Sequence, residues 1–114
     1  MSDKTKIPTK SRELVYKRDE GRCVRCSMTP SVKQWHHRRG RSVSDEHQHA
    51  PCNGVLMCPP CHAWVHKNPF EARGKGWIVA RHLTPCKVPA EIFGVMCYLG
   101  HATPNARPSP KGIE

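Results

Sequence analysis

Two pairs of cysteines dominate the chemistry that the sequence offers. Two residues separate Cys23 from Cys26, and two separate Cys58 from Cys61. Together they supply four sulfur ligands, the set that a tetrahedral structural zinc ion binds. The pairs lie 31 residues apart, farther than in common zinc ribbons, so the intervening segment must fold as a unit. The sequence therefore predicts a structural zinc site that pins this insertion to a domain with little core of its own.

Three further cysteines, Cys52, Cys86 and Cys97, fall outside this spacing. We interpret them as ordinary thiols, in the core or partly exposed. The total of seven cysteines is odd, which argues against a closed disulfide framework. The alternatives for the paired cysteines are buried small hydrophobic residues, or a redox motif in a βαβ context that the sequence does not show.

Four histidines form a second set of candidate ligands. His62 and His66 stand four residues apart on a predicted helix, so their imidazoles share one face about one turn apart. His36 and His37 are adjacent on a predicted strand, where consecutive side chains point to opposite faces. Either one can join His62 and His66 at a metal ion while the other points elsewhere.

This division of roles suits hydrolysis of a phosphodiester bond. The reaction is an in-line displacement, so a general base beside the attacking water and a metal beside the leaving oxygen must lie apart. Three arginines follow the histidine pair, namely Arg38, Arg39 and Arg41. A guanidinium can hold a phosphate through two parallel N–H contacts, although a solvated charge run is the ordinary explanation of such a cluster.

Short elements must position these groups. Ser11 as N-cap and Gly21 as a stop predict a helix over about 11–19. The other predicted elements are a strand over 31–37, a polar loop over 40–52, an apolar strand over 53–58, a helix over 59–68, one more helical turn over 70–76, and strands over 76–82 and about 92–99.

The length of 114 residues indicates one domain. We expect a flexible basic arm over 1–10, a folded region over 11–100 and a disordered tail over 101–114. The net charge of +10 makes nucleic acid the expected partner, whereas no long amphipathic helix or apolar run favours a membrane. No signal-peptide or membrane-spanning pattern is visible, so we expect a cytoplasmic protein.

The order Cys-x-x-Cys, His-His, Asn, then Cys-x-x-Cys-His-x-x-x-His resembles the HNH endonucleases, whose core is the ββα-metal, or His-Me, finger. The stretch NGVLMCPPCH is similar to that family's Asn-apolar-Cys-x-x-Cys-His signature. The resemblance covers residues 11–80 and extends to small HNH proteins of phages and bacteria, in which a Gly-Trp strand follows. It implies a small α+β fold, with a ββα-metal finger stapled by a four-cysteine structural zinc, a short N-terminal helix and C-terminal strand additions.

The resemblance also implies roles for matching residues. His36 corresponds to the first metal ligand, His37 to the general base, and Asn53 to the asparagine that constrains the loop between the strands and helps to orient the base. His62 and His66 correspond to the other ligands of a catalytic divalent metal, which is Mg²⁺, Mn²⁺, Ni²⁺ or Zn²⁺. The four paired cysteines correspond to the structural zinc ligands. The chain departs from the pattern at Gly54, where members carry an apolar residue, and at His47 and His49, which are additional candidate ligands or phosphate contacts.

The implied activity is metal-dependent hydrolysis of DNA in a bacterial host cell, by nicking with low sequence specificity. For a phage protein it also implies a part in DNA packaging, with terminase subunits as partners. Two other functions remain open, a zinc-stabilised DNA-binding module without catalysis and a terminase accessory protein. The histidine set favours the nuclease, because a binding module has no use for a second metal. A neutral His37 as base predicts that activity falls below a pH of about 6.5, the pKa of a free imidazole.

Overall fold

Short helices and two antiparallel sheets make up the part of the chain that the computed structural model describes, residues 7–29, 34–40 and 43–108. In chain order the elements are helix α1 (Thr9–Arg18), strand β1 (Gln34–His37), strand β2 (Gly54–Met57), helices α2 (Pro59–Lys67) and α3 (Pro69–Gly74), and strands β3 (Ala90–Ile92), β4 (Val95–Leu99) and β5 (Ala106–Pro108). Single 3₁₀ turns at Pro51–Asn53 and Pro85–Lys87 precede β2 and β3. The expected small α+β class is thus confirmed.

Strands β1 and β2 form a two-stranded antiparallel sheet, and α2 follows β2 directly. His36 lies opposite Val55, and His37 lies opposite Gly54. Adjacent side chains of a strand point to opposite faces, so His36 is buried while His37 is only half-buried. Cys58 separates β2 from α2, whose first two residues are prolines. Proline suits this position because the first-turn N–H groups have no partner within the helix.

Glycine at position 54 is explained by the indole of Trp35. A Cβ atom at this position would lie 2.2 Å from the Trp35 ring, which no real side chain tolerates. The departure from an apolar residue after Asn53 is therefore a packing requirement, in which the large ring of β1 lies across the bare backbone of β2.

Helix α1 is attached to the β1–β2 sheet by a buried ion pair. The Arg18 side chain is 1% exposed and that of Asp19 is not exposed at all. Arg18 also donates to the carbonyls of Pro51 and Gly54, and Asp19 accepts the backbone N–H of Leu56 at 3.0 Å. Burying two charges is costly unless their hydrogen bonds are complete, and here every one of these partners lies in or beside β2.

The core joins both sheets and the helices. Trp77 is 1% exposed and packs edge-on against Trp64 of α2, with 6.2 Å between ring centroids. The same buried cluster contains apolar residues of β2, α2, α3 and the second sheet, including Val55, Met57, Val65, Ala72, Ile92, Cys97 and Leu99.

The predicted strand over 76–82 is wrong. The segment forms only one isolated bridge, between Arg39 and Val79, because a strand of β-forming residues still requires an extended partner. The Val79 N–H donates to the Arg38 carbonyl at 2.8 Å, whereas the Trp77 N–H turns back to the carbonyl of Ala72 in α3. The start of the segment therefore belongs to the turn after α3 and does not extend the bridge into a strand.

The predicted strand over 92–99 is split in two. Phe93 and Gly94 have positive φ angles of 51° and 84°, the backbone of a two-residue hairpin turn. Ile92 then pairs with Val95, so β3 and β4 are neighbours in an antiparallel sheet. A phenylalanine in the left-handed region is uncommon, so the sequence does not predict a turn at this position.

Both predicted ends of the folded region are shifted outward. α1 begins at Thr9, inside the predicted arm, and residues 1–6 lie outside the described part of the chain. β5 lies within the predicted disordered tail and pairs with β4, with Leu99 opposite Ala106. Prolines do not prevent this pairing, because an edge strand tolerates a residue without an N–H. Residues 109–114 lie outside the described ranges.

In the described part of the chain, every helix is too short or too polar to cross a bilayer.

Candidate metal centres

The four paired cysteines converge on one point. Their sulfur atoms all lie within 4.8 Å of one another, and those of Cys26 and Cys58 are 3.8 Å apart. Tetrahedral zinc, with Zn–S bonds of about 2.3 Å, places sulfurs about 3.8 Å apart. The donor set and spacing therefore fit a zinc ion, as the sequence predicted, with Cys23 and Cys61 as the other two ligands.

Local backbone bonds bring the first cysteine pair to the second. The Ser27 N–H donates to the Cys23 carbonyl at 2.8 Å, and Ser27 takes a positive φ of 66° that closes the turn. The Val24 N–H donates to Leu56 of β2 at 3.0 Å, which docks this turn beside the start of α2. Burial tends to raise the pKa of the Cys23 thiol, but backbone N–H groups led by that of Cys26 outweigh it and lower the pKa to about 7. Such a thiol is readily converted to the thiolate that zinc binds.

Arg25 supports this cluster from outside. Its Nη1 donates to the Cys61 sulfur at 3.4 Å, and its guanidinium lies 4.0 Å from the centroid of the Trp64 ring. A cation beside a thiolate offsets part of the negative charge of a four-cysteine zinc site. Arg25 is exposed, and its sequence position between the two cysteines gives no hint of this contact.

Three histidines form the second cluster, at the junction of β1 and α2. His36, His62 and His66 offer ring nitrogens that all lie within 4.8 Å of one another. His36 is buried, His62 is intermediate and His66 is exposed. Three imidazoles with one side open to solvent are a ligand set that leaves coordination positions for water and substrate. Of the two adjacent histidines, His36 is the one that joins the pair on α2.

The orientations of two of these rings are fixed by groups behind them. Nε2 of His36 lies 2.5 Å from the Trp77 carbonyl oxygen, which can only accept, so Nε2 carries the proton and Nδ1 keeps its lone pair. Nδ1 of His62 lies 2.7 Å from Oε1 of Gln34, which leaves Nε2 of His62 for a metal. Hydrogen bonds of this kind on the far nitrogen are the usual way in which proteins aim metal-binding imidazoles.

Burial also favours the neutral form of His36 and His62. Burial lowers the pKa of His36 to about 4, and the neighbouring His62 and His66 lower it further against the opposing effect of the Trp77 carbonyl. Burial and His66 also lower the pKa of His62. Because only the neutral imidazole binds a metal, these two ligands are ready for one at neutral pH.

His37 faces away from the three-histidine cluster. Its Nε2 lies 3.2 Å from Nδ1 of His49, with 5.3 Å between the centroids of the edge-on rings, and the centroid of the Trp35 ring lies 5.8 Å from that of His37. The sequence offers His49 as an additional candidate ligand or phosphate contact. In the structure it lies beside His37 as a hydrogen-bond partner. The two adjacent histidines thus diverge as a β-strand requires.

Asn53 is fully buried and fastens the loop between β1 and β2. Its Oδ1 accepts the N–H of Arg39 at 2.7 Å, and its Nδ2 donates to the carbonyl of Gln48 at 3.0 Å. The loop is thereby held two residues after His37 and one residue before His49. These bonds fit the positioning role that the resemblance implies for this asparagine.

Arg38 and Arg39, which the sequence offers as phosphate contacts, are buried in the structure. Arg38 is 1% exposed, and its guanidinium donates to four backbone carbonyls, those of Gly76, Cys52, Pro85 and Val88. Every side-chain nitrogen is occupied, so Arg38 is a structural cation that ties together segments lacking regular pairing. Arg39 is 4% exposed and donates to the Leu83 carbonyl and to the Asp45 carboxylate. Arg41 lies outside the described residues.

Comparison with family models, with curated proteins and with solved structures finds no match for this chain. The candidate centres therefore rest on the residues of the chain and on their geometry.

Proposed function

We propose that this protein is a metal-dependent DNA endonuclease of the HNH, or ββα-metal, type. One observation supports the proposal above the others, namely that His36 joins His62 and His66 while the adjacent His37 points to the opposite face of β1. A ligand cluster and a separate imidazole on neighbouring residues are what an in-line phosphodiester hydrolysis needs.

In this proposal His37 is the general base. A neutral imidazole accepts the proton of the attacking water, and His49 holds the ring through its 3.2 Å contact. Asn53 holds the loop that follows His37 and carries His49. A divalent metal bound by His36, His62 and His66 would stabilise the negative charge on the phosphate and the leaving 3′ oxygen. One such centre in a monomer cuts one strand, so nicking is the expected product.

Because Arg38 and Arg39 are buried, the proposed binding of DNA relies on other cations, which are exposed. The chain carries a net charge of +10, and Lys67, which directly follows His66, is exposed. Contacts of lysine with phosphate are independent of base sequence, consistent with low specificity. A role in phage DNA packaging with terminase subunits is part of the proposal, and co-purification with a terminase subunit would support it.

The test is cleavage of supercoiled plasmid by metal-stripped protein supplied with Mg²⁺, Mn²⁺, Ni²⁺ or Zn²⁺. We expect wild type to nick, and His37→Ala to lose about 100-fold or more of the rate while binding DNA as tightly. His82→Ala, which removes an exposed histidine elsewhere, is the matched control and should cut at the wild-type rate.

Undiminished cleavage by His37→Ala would overturn the assignment of the base. Absence of cleavage by wild type with every metal, with DNA still shifted on a gel, would favour the alternative of a zinc-stabilised DNA-binding module.

A further inference from the structure

A third group of sulfur and nitrogen ligands lies outside both clusters. The Cys86 sulfur lies 4.0 Å from Nε2 of His47, and the Cys52 sulfur lies 3.9 Å from Nδ1 of His101. The two imidazoles meet edge-on with 4.8 Å between their centroids. Cys52 and Cys86 lie on the two 3₁₀ turns, at Pro51–Asn53 and Pro85–Lys87, and these turns pack against each other. The four side chains form a closed ring of neighbours.

The types of ligand in this ring are those of a zinc site. Two sulfurs and two imidazole nitrogens are one of the common ligand sets of tetrahedral structural zinc. With Zn–S bonds of about 2.3 Å and Zn–N bonds of about 2.0 Å, adjacent sulfur and nitrogen ligands lie about 3.5 Å apart. The two sulfur–nitrogen distances, 4.0 and 3.9 Å, exceed this value by about half an ångström.

His47 is already oriented for such a role. Its Nδ1 faces the carboxylates of Asp45 and Glu46, at 3.9 and 4.0 Å, and its backbone N–H donates to Asp45 at 2.9 Å. Carboxylates behind the far nitrogen are common partners of zinc-binding histidines, because they fix which nitrogen carries the proton. The nitrogen that remains, Nε2, is the one that faces the Cys86 sulfur.

We propose that His47, Cys52, Cys86 and His101 bind a zinc ion separate from those of the two other clusters. Among the described residues, no three of these four ligand atoms lie within 4.8 Å of one another, so the ion would draw at least two of the side chains inward. His101 can move, because it is exposed in the bend between β4 and β5.

The four ligands come from four segments of the chain. His47 belongs to the loop after β1, Cys52 and Cys86 to the two 3₁₀ turns, and His101 to the bend after β4. An ion at this point joins the second sheet to the loop that carries His49. A domain this small gains much of its stability from such a link.

The test counts zinc in protein whose histidine cluster has been removed. His62→Ala/His66→Ala protein, expressed without a histidine tag, should hold about two zinc ions per chain by mass spectrometry of metals. Adding Cys86→Ser and His101→Ala should reduce this to about one, with a thermal unfolding transition still present. Adding His82→Ala alone, as the matched control, should leave about two.

A second measurement needs no change at the proposed ligands. X-ray absorption at the zinc edge of the His62→Ala/His66→Ala protein should give an average of about three sulfurs and one nitrogen per zinc. This is the mean of a site with four cysteines and a site with two cysteines and two histidines. This average tests the proposed zinc site even if the variant with four substitutions fails to fold.

Three results would overturn the proposal. The first is about one zinc per chain with purely sulfur ligation in the His62→Ala/His66→Ala protein. The second is a zinc content that Cys86→Ser and His101→Ala do not change. The third is a thiol count of five instead of seven in the denatured, chelated protein, with peptide mass spectrometry assigning the missing pair to a Cys52–Cys86 disulfide.

Discussion

At the scale of single residues, the two adjacent histidines have different surroundings because they lie on a strand. His36 points into the junction with α2, where a carbonyl fixes its ring and burial keeps it neutral. His37 points to the other face and meets an imidazole of the loop. The local period of two residues is enough to give adjacent histidines the two separate positions that the proposed metal ligand and base require.

Gln34 should be a positioning residue for the metal on His62. Its Oε1 accepts the Nδ1 proton of His62 at 2.7 Å, so Gln34→Ala frees the ring to rotate and to change tautomer. We expect an affinity for Co²⁺ at the histidine cluster about tenfold lower, measured by titration calorimetry after zinc has filled the cysteine-containing sites. Gln34→Glu keeps an acceptor at the same place and should keep the affinity. Equal loss in both variants would contradict the role.

The lowered pKa values predict how many protons the metal displaces. At pH 6 a free imidazole holds about three-quarters of a proton, whereas His36, with a pKa of about 4, holds almost none. The pKa of His62 is lowered as well. Three free imidazoles would release about 2.3 protons on binding a metal at pH 6, and this cluster should release fewer. Calorimetry in two buffers of different ionisation enthalpy measures the number of protons released. A value near 2.3 would contradict the lowered pKa values of His36 and His62.

The two clusters of candidate metal ligands could be predicted from the sequence, whereas the surroundings of the arginines could not. Ligand spacing is local, since two residues on one helical face must meet whatever the rest of the fold does. The burial of Arg38 depends on four carbonyls that come from positions 52, 76, 85 and 88. Partners so far apart in the chain leave no local pattern, and the general rule that Arg is exposed pointed the other way.

At the scale of elements, the predicted order of helix, strand, strand and helix agrees with α1, β1, β2 and α2. These elements are bounded by local signals, such as the Cys-Pro-Pro start of α2. The strand over 76–82 was wrong because β propensity does not supply a partner. The 92–99 hairpin was missed because its turn uses Phe93 in a backbone conformation for which the residue type gives no warning.

The docking of α1 should depend on Asp19. Asp19→Ala leaves the buried Arg18 guanidinium without its counterion, and also leaves the Leu56 N–H without an acceptor. We expect a loss of about 3–5 kcal/mol in the free energy of unfolding, measured by urea denaturation with zinc present. Glu13→Ala, an exposed change on the same helix, should alter stability by less than about 0.5 kcal/mol. A small effect of Asp19→Ala would show that α1 is held by other contacts.

At the scale of the whole molecule, the positive charge is divided between buried and exposed side chains. Arg18, Arg38 and Arg39 are buried and hold segments together through carbonyl oxygens and carboxylates. In the proposed function, exposed cations such as Lys67 bind DNA. Because their contacts with phosphate release condensed counterions, DNA affinity should fall steeply between about 50 and 200 mM salt. Fluorescence anisotropy with a labelled duplex measures the slope, and Lys67→Ala should reduce that slope by about one.

The two clusters found by spacing should also differ in what their metals do for the protein. The cysteine cluster links the turn after α1 to the start of α2 and offers all four ligands of a tetrahedron, so a zinc ion bound there should contribute to folding and exchange slowly. The histidine cluster has an exposed member, His66, and its three ligands leave positions open. Brief treatment with EDTA should therefore abolish DNA cleavage while the thermal transition persists, and added Mn²⁺ should restore cleavage. Cys23→Ser should instead remove both the zinc and the transition, because the fold loses its link. If EDTA abolished cleavage and folding together, with no interval between them, the division into a catalytic and a structural metal would be wrong.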